Sequence, residues 1–222
     1  MSNFKPKFVS FDCYGTLINF EMGPAAQRVY ASRLSPREME AFNFTFKWMR
    51  LDEVLGPFKP FAEVVRNAVE RACSVNGIAF RDEDAQRIVD EIPTWGPHPD
   101  TVAGLKKIAD KVPLVILSNS MIDLLPIHVA KLEVPFHAAL TAEEAGYYKP
   151  HAKAFEFMFG KLNCRPEDIM HVSSSFRYDL MIASDLRMGA RILVDRGHEN
   201  NCDGYASHRI RDISGLADLI RG

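Results

Sequence analysis

The chain has 222 residues, 47% hydrophobic and 25% charged, with a formal net charge of -2 and both signs interspersed. That length suits one large soluble globular domain or two small ones, and the near-neutral balance leaves no electrostatic footprint for nucleic acid or an anionic membrane. Cys13, Cys73, Cys164 and Cys202 are scattered, with no C-x-x-C pair and no His at metal spacing, so neither a zinc site nor a disulfide framework is expected. No apolar run approaches the roughly 18 residues of a membrane span, and the opening MSNFKPK lacks the apolar stretch of a signal peptide. The expectation is a cytoplasmic protein acting on a small molecule.

In chain order, Phe8 to Phe11 is a short apolar and aromatic run, too brief for a stable helix and shaped like a buried strand of a parallel sheet. Asp12 stands at its carboxyl end, the edge where ligands bind in open α/β sheets. From about residue 23 to 92 the pattern turns helical. Ser35-Pro36 and Lys59-Pro60 mark helix starts. Phe61, Val64, Val65, Ala68, Val69 and Ala72 lay one apolar stripe on a helix that ends before Asn76-Gly77, and Asp82 to Ile92 reads as one more helix. With no strand pattern in this block, residues 19–92 read as a helical insertion, able to serve as a lid, between 1–18 and 93–222. Strand and helix then alternate: helix 101–111, strand 113–117, helix over 128–132, a weaker strand 136–141, helix 153–162 and strand 169–172. A helix carrying Asp179, Met181, Ile182 and Ala183 precedes a last strand, 190–194. Such alternation implies an α/β fold with a doubly wound parallel sheet.

Four strand ends carry polar residues: Asp12 with Thr16, Ser118 with Asn119, Lys149 in YYKP, and Ser173-Ser174-Ser175 with Asp179. FDCYGTL, LSNS, YYKP and VSSSFRYDL resemble, in the same order, the four motifs of the haloacid dehalogenase superfamily. The resemblance spans essentially the whole chain. It implies a Rossmann-like core, a helical cap inserted after the first strand, and an aspartate nucleophile at Asp12.

Departures from the superfamily pattern select a branch. Its phosphatases carry a second aspartate two positions after the nucleophile, which protonates the leaving oxygen; here that position is Tyr14. They also carry a carboxylate ligand for magnesium in the fourth motif, where this chain has Ser174. Mg²⁺ needs charged or well-placed oxygens, so phosphoryl transfer is disfavoured twice, and no metal or other cofactor is expected. A halide leaves as a stable anion and needs no general acid. The L-2-haloacid dehalogenase branch is similar in both respects. By that resemblance Asp12 forms an aspartyl ester, and Ser118 and Asn119 receive the substrate carboxylate. Lys149 keeps Asp12 ionised against its repulsion from Asp179. Asp179 activates the water that hydrolyses the ester, with Ser173 or Ser174 positioning that water. Thr16 hydrogen-bonds Asp12, and backbone donors of its turn stabilise the oxyanion. Tyr14, Ser173 and, from the cap, Trp48 complete the expected substrate-binding set; Trp48 and Phe46 equally fit core positions at helical spacing.

Other departures point to a changed pocket. The branch collects its halide with an arginine on an early cap helix, but the matching position here is Glu40 or Ala41, with Arg33, Arg37 and Arg50 on other turns. One extra residue separates the serines from Asp179, Phe176-Arg177 fall where an asparagine lies nearby, and Phe155 replaces a tyrosine. A ring nitrogen arriving protonated would need no arginine. L-azetidine-2-carboxylate hydrolase, of the same branch, is therefore a second reading, and a magnesium-dependent phosphatase a third. The expected partner is a small-molecule carboxylate, with pairing into a homodimer implied by the family alone.

Overall fold

The computed structural model describes residues 4–199, 202 and 204–220. The chain divides into two compact units, Met1–Asn19 with Gly96–Gly222, and Phe20–Trp95. Strand β1 (Phe8–Phe11) opens the first unit. The chain then forms the second unit from α1 (Met22–Tyr30), α2 (Pro36–Leu55), α3 (Phe61–Val75) and α4 (Asp82–Glu91).

Local chemistry accounts for these helices. Ser35 caps α2 in a reciprocal box with Glu38, and Pro36 occupies the first helical position, where its missing N–H costs nothing. Val64, Val65, Ala68, Val69, Ala72 and Cys73 form the buried face of α3. Phe42 and Phe46 are buried, with Tyr30 4.7 Å from the Phe42 ring and the two Phe rings 5.7 Å apart, so Phe46 is core. Trp48 is half-buried and meets Phe44 edge to face at 6.0 Å.

Back in the first unit the chain lays down α5 (Thr101–Lys106), β2 (Leu114–Ser118), α6 (Leu125–Ala130), β3 (Ala138–Thr141), α7 (Ala142–Ala145), α8 (Ala152–Leu162), β4 (Ile169–Ser173), α9 (Met181–Asp185), β5 (Ala190–Val194), β6 (His208–Ile210) and α10 (Leu216–Leu219). All strand pairs are parallel, in the order β3-β2-β1-β4-β5-β6. This is the expected doubly wound α/β sheet. β2 and β4 are buried throughout, as near-continuous apolar strands of a covered parallel sheet should be. Phe155, Met158, Phe159 and Leu162 of α8 pack with Val115, Leu117 and Ile169 of the sheet into one core. Because the chain passes from β1 to β2 on one side and later returns to β4 on the other, the strand order reverses beside β1. In such sheets the crevice opens there, at the carboxyl ends.

Four expectations need correction. The sheet does not end at residue 194: β6 adds a sixth strand whose HRI sequence is short, polar and half-exposed, and so carries no apolar run. The helix expected over 101–111 stops at Lys106 and continues as turns, and the one expected to reach Leu132 stops at Ala130. The helix carrying Asp179 begins as one π turn, Phe176–Leu180, with the Leu180 N–H donating to the Ser175 carbonyl at 3.1 Å. That wider turn takes up the extra residue between the serines and Asp179. Among the described residues no helix is long and apolar enough to cross a membrane.

Candidate active site

The site forms where β1, β2 and β4 end. The Asp12 N–H donates to the Val172 carbonyl at 3.0 Å, fixing the residue against β4. The chain then turns sharply. Leu17 and Ile18 both donate to the Cys13 carbonyl, at 2.8 and 2.9 Å, and Gly15 adopts a left-handed φ of 91°, where a side chain would be strained. This turn returns Thr16 to Asp12, where its Oγ1 donates to Oδ2 at 2.7 Å. On the other carboxylate oxygen, Lys149 Nζ donates to Asp12 Oδ1 at 2.8 Å and to Asp179 Oδ1 at 2.6 Å. Lys149 is 1% exposed and Asp12 7%. Asn119 holds the Lys149 backbone at both ends, its Oδ1 accepting from the Lys149 N–H at 2.7 Å and its Nδ2 donating to the Lys149 carbonyl at 3.0 Å.

Asp179 accepts from three neighbours. Besides Lys149, His171 Nε2 donates to Oδ1 at 2.9 Å and Ser173 Oγ to Oδ2 at 3.0 Å. His171 Nδ1 lies 2.8 Å from Ser10 Oγ, its register partner across β1 and β4. Burial opposes charge on every one of these groups, and the neighbours decide the outcome. Burial would strip the Lys149 proton, but the Asp12 and Asp179 carboxylates reverse this and hold the ammonium above its usual range. Burial also pushes the Asp179 carboxyl up, yet Lys149 and His171 pull it net below the usual carboxylate range. For Asp12, burial joined by the Asp179 charge outweighs Lys149 and Thr16, so its carboxyl sits above that range. Of the two carboxylates, Asp12 is thus the more basic, with the Lys149 ammonium at contact distance from it.

A model of haloacid dehalogenase-like hydrolases matches residues 6–186. The chain belongs to the haloacid dehalogenase-like hydrolase family. It is similar to the (S)-2-haloacid dehalogenase of Pseudomonas putida, 23% identical over 219 residues, covering 96% of this chain and 95% of that one. Among solved structures, the L-2-haloacid dehalogenase of Xanthobacter autotrophicus with chloropropionic acid covalently bound superposes with a TM-score of 0.80 at 20% identity, covering 98% and 99% of the two chains. A magnesium-bound HAD-hydrolase of Bacillus subtilis, YfnB, superposes with a TM-score of 0.82 at 13% identity, covering 97% and 99%. Likeness at these identities shows the shared fold alone, so the chemistry of this family member rests on its own donors.

Those donors do not fit a divalent ion. Asp179 already accepts from an ammonium, an imidazole and a hydroxyl, Asp12 from an ammonium and a hydroxyl, and position 174 supplies a serine. Among the described residues no group of three or more His, Cys, Asp and Glu could hold a metal.

Asp12, Thr16, Lys149, Asp179, Ser173 and Ser174 thus come together in one hydrogen-bonded array. Ser118 ends β2 with its Oγ buried and without a hydrogen-bond partner among the described residues. Ser118→Ala is expected to raise KM about 10- to 100-fold, the weight of a hydrogen bond to a charged group, with thermal stability unchanged or higher. A stability loss with KM unchanged would make Ser118 structural. The Asn119 side-chain amide is bonded to the Lys149 backbone. Tyr14 turns its hydroxyl to His128 Nδ1 at 2.9 Å and Ser120 Oγ at 3.3 Å. Trp48 lies on α2 of the helical unit. In that unit Arg33 pairs with Asp84, and the Arg50 guanidinium stacks on Phe46 at 4.6 Å and Phe20 at 5.1 Å. Sequence reasoning missed Ser10 and His171. Their signal was a polar residue inside each of two otherwise apolar strands.

Proposed function

We propose that this hydrolase cleaves the bond between the α-carbon and the leaving group of a small 2-substituted carboxylate, without a metal and through an ester on Asp12, with L-2-haloacids as the favoured substrates. The observation that carries this reading is the Lys149 ammonium bridging Asp12 and Asp179 at 2.8 and 2.6 Å. At 2.8 Å and an effective dielectric near 20, each contact of this kind is worth about 6 kcal/mol before desolvation. The Asp12 carboxylate displaces halide from the α-carbon, Ser118 receives the substrate carboxylate, and halide departs unprotonated. Water then adds to Cγ of the ester and gives its proton to Asp179 at Oδ2, which has one lone pair beyond its bond from Ser173. The weakly basic Asp179 is adequate because the Lys149 ammonium stabilises the oxyanion. Turnover of L-2-chloropropionate should be unchanged by EDTA. Loss of activity on chelation, or phosphate release from simple esters stimulated by Mg²⁺, would overturn the reading.

A second substrate is favoured by one observation. Arg33 is committed to Asp84 and Arg50 to two rings, so neither is poised as a halide cradle. Opening of L-azetidine-2-carboxylate, whose nitrogen leaves without such a cradle, belongs in the same assay panel.

A further inference from the structure

The second half of the proposed reaction has a requirement that the first lacks. Halide needs no proton, but hydrolysis of the Asp12 ester expels the alkoxide of a 2-hydroxy acid, a strongly basic leaving group that a general acid must protonate. Tyr14 stands where phosphatases of the family carry their acid, and its hydroxyl is turned to His128 and Ser120.

A chain of hydrogen bonds leads from Asp12 to the surface, and its direction follows by elimination. Thr16 has one hydroxyl proton, which it gives to Asp12 Oδ2 at 2.7 Å. Thr16 Oγ1 accepts from the Ser174 N–H at 2.9 Å and lies 3.1 Å from Ser174 Oγ, so in that contact Ser174 must be the donor. With its only proton so used, Ser174 Oγ must accept at its other contact, 3.1 Å from His198 Nε2. The imidazole therefore carries its proton on Nε2, and every proton in the row points toward Asp12.

His198 is exposed, yet it is held in place from both sides. Arg196 donates to the Thr16 carbonyl at 2.9 Å and to Asp100 at 2.7 Å. Glu199 accepts from Ser175 Oγ and the Phe176 N–H, both at 2.8 Å, at the start of the π turn. The ring lies against the Gly15 turn, where a Cβ would be in ordinary contact with it, 3.6 Å from His198 Nε2. The charged and titratable groups around the imidazole are Arg196, Glu199 and Asp195 on its own loop and His98 before α5.

We propose that His198 is a proton-relay residue that supplies, through Ser174 and Thr16, the proton for the departing oxygen when the Asp12 ester is hydrolysed. This rests on the ester chemistry proposed above. The oxyanion belongs beside the Lys149 ammonium, which makes Oδ1 the carbonyl oxygen and Oδ2 the esterified one. As the Cγ–Oδ2 bond breaks, its electron pair stays on Oδ2, which takes the Thr16 proton. Thr16 is refilled from Ser174, and Ser174 from Nε2 of the imidazolium, which recovers its proton from solvent. Water has meanwhile given one proton to Asp179, and the regenerated Asp12 carboxyl releases another. For the whole cycle one water is consumed and one proton and one halide are released.

The test is rapid-quench kinetics of the full chain with L-2-chloropropionate. His198→Gln keeps a donor but cannot relay. It should give a chloride burst of about one equivalent, esterified Asp12 detectable by mass spectrometry, and a steady state slowed on the order of 10²-fold. The wild-type rate should fall at alkaline pH as the imidazolium disappears, a limb absent in the variant. Imidazole in the medium should restore His198→Ala. Wild-type turnover and an unchanged alkaline limb in His198→Gln would overturn the relay. Should wild type release no chloride from any haloacid, the substrate reading fails, and the relay is judged separately by ¹⁵N NMR. Neutral His198 protonated on Nε2, with that preference lost in Ser174→Ala, supports the relay; protonation on Nδ1 overturns it.

Discussion

Asp12→Asn is expected to abolish turnover, by on the order of 10⁴-fold or more, while leaving a protein at least as stable as wild type. The first half follows from removing the proposed nucleophile, for which no neighbouring carboxylate can substitute: Asp179 is held below the usual range and accepts from Lys149, His171 and Ser173. The second half follows from linkage. The Asp12 carboxyl is held above its usual range by burial and by Asp179, so the folded state binds its proton more tightly than the unfolded chain does. Its ionisation therefore costs stability, a cost that appears as pH rises from about 4 through the folded value. Asparagine removes the cost and can still accept from Thr16 or Lys149. Thermal denaturation at pH 7 beside the assay separates the two effects: an inactive variant with a markedly lower Tm would show that Asp12 is structural. Isotope labelling provides a second check. With H₂¹⁸O, the proposed attack of water at Cγ requires first-turnover product to be unlabelled and the label to appear in Asp12; label in the first-turnover product would place the attack at the substrate carbon.

Much of this site is legible in the sequence because its parts are local. A strand that stops at Asp12, a glycine turn that returns Thr16, and polar residues placed in order at later strand ends each leave a mark within a few residues. The missed parts are products of register and long-range packing. Ser10 and His171 are 161 positions apart and meet only because β1 and β4 pair side by side. His198 stands over the Thr16 turn because Arg196 and Glu199 grip distant backbone, which no spacing rule encodes. The Asn119 amide bonds the Lys149 backbone across 30 residues, a pairing that its place at a strand end does not announce. β6 escaped notice because a short, half-exposed edge strand has no apolar run to display.

Lys149→Met should produce the opposite stability result from Asp12→Asn. The substitution keeps much of the side-chain volume but leaves two carboxylates buried against one another. Removing one partner of a buried ion pair costs about 3–5 kcal/mol, which for a chain of this size lowers Tm by roughly 6–20 °C near neutral pH. Activity should fall by about 10²–10³-fold or more, since both the charged nucleophile and the oxyanion lose their cation. The pH dependence identifies the cause. In wild type, the Lys149 contribution is fully present below its unfolded pKa of about 10.4 and is lost as pH rises through the higher folded value. The Asp179 contribution is present above about 3.9 and is lost as pH falls through its lowered folded value. Between these limits the Lys149 and Asp179 contributions stay constant. Without Lys149 the balance of Asp179 shifts toward its burial, so both carboxylates take up protons on folding. Stability then climbs as pH falls toward about 4, and the deficit relative to wild type narrows. Urea denaturation from pH 8 to pH 4.5 measures this directly. A deficit that stays constant over that range would mean that Lys149 supports the fold by packing alone, and that Asp12 does not depend on it for its charge.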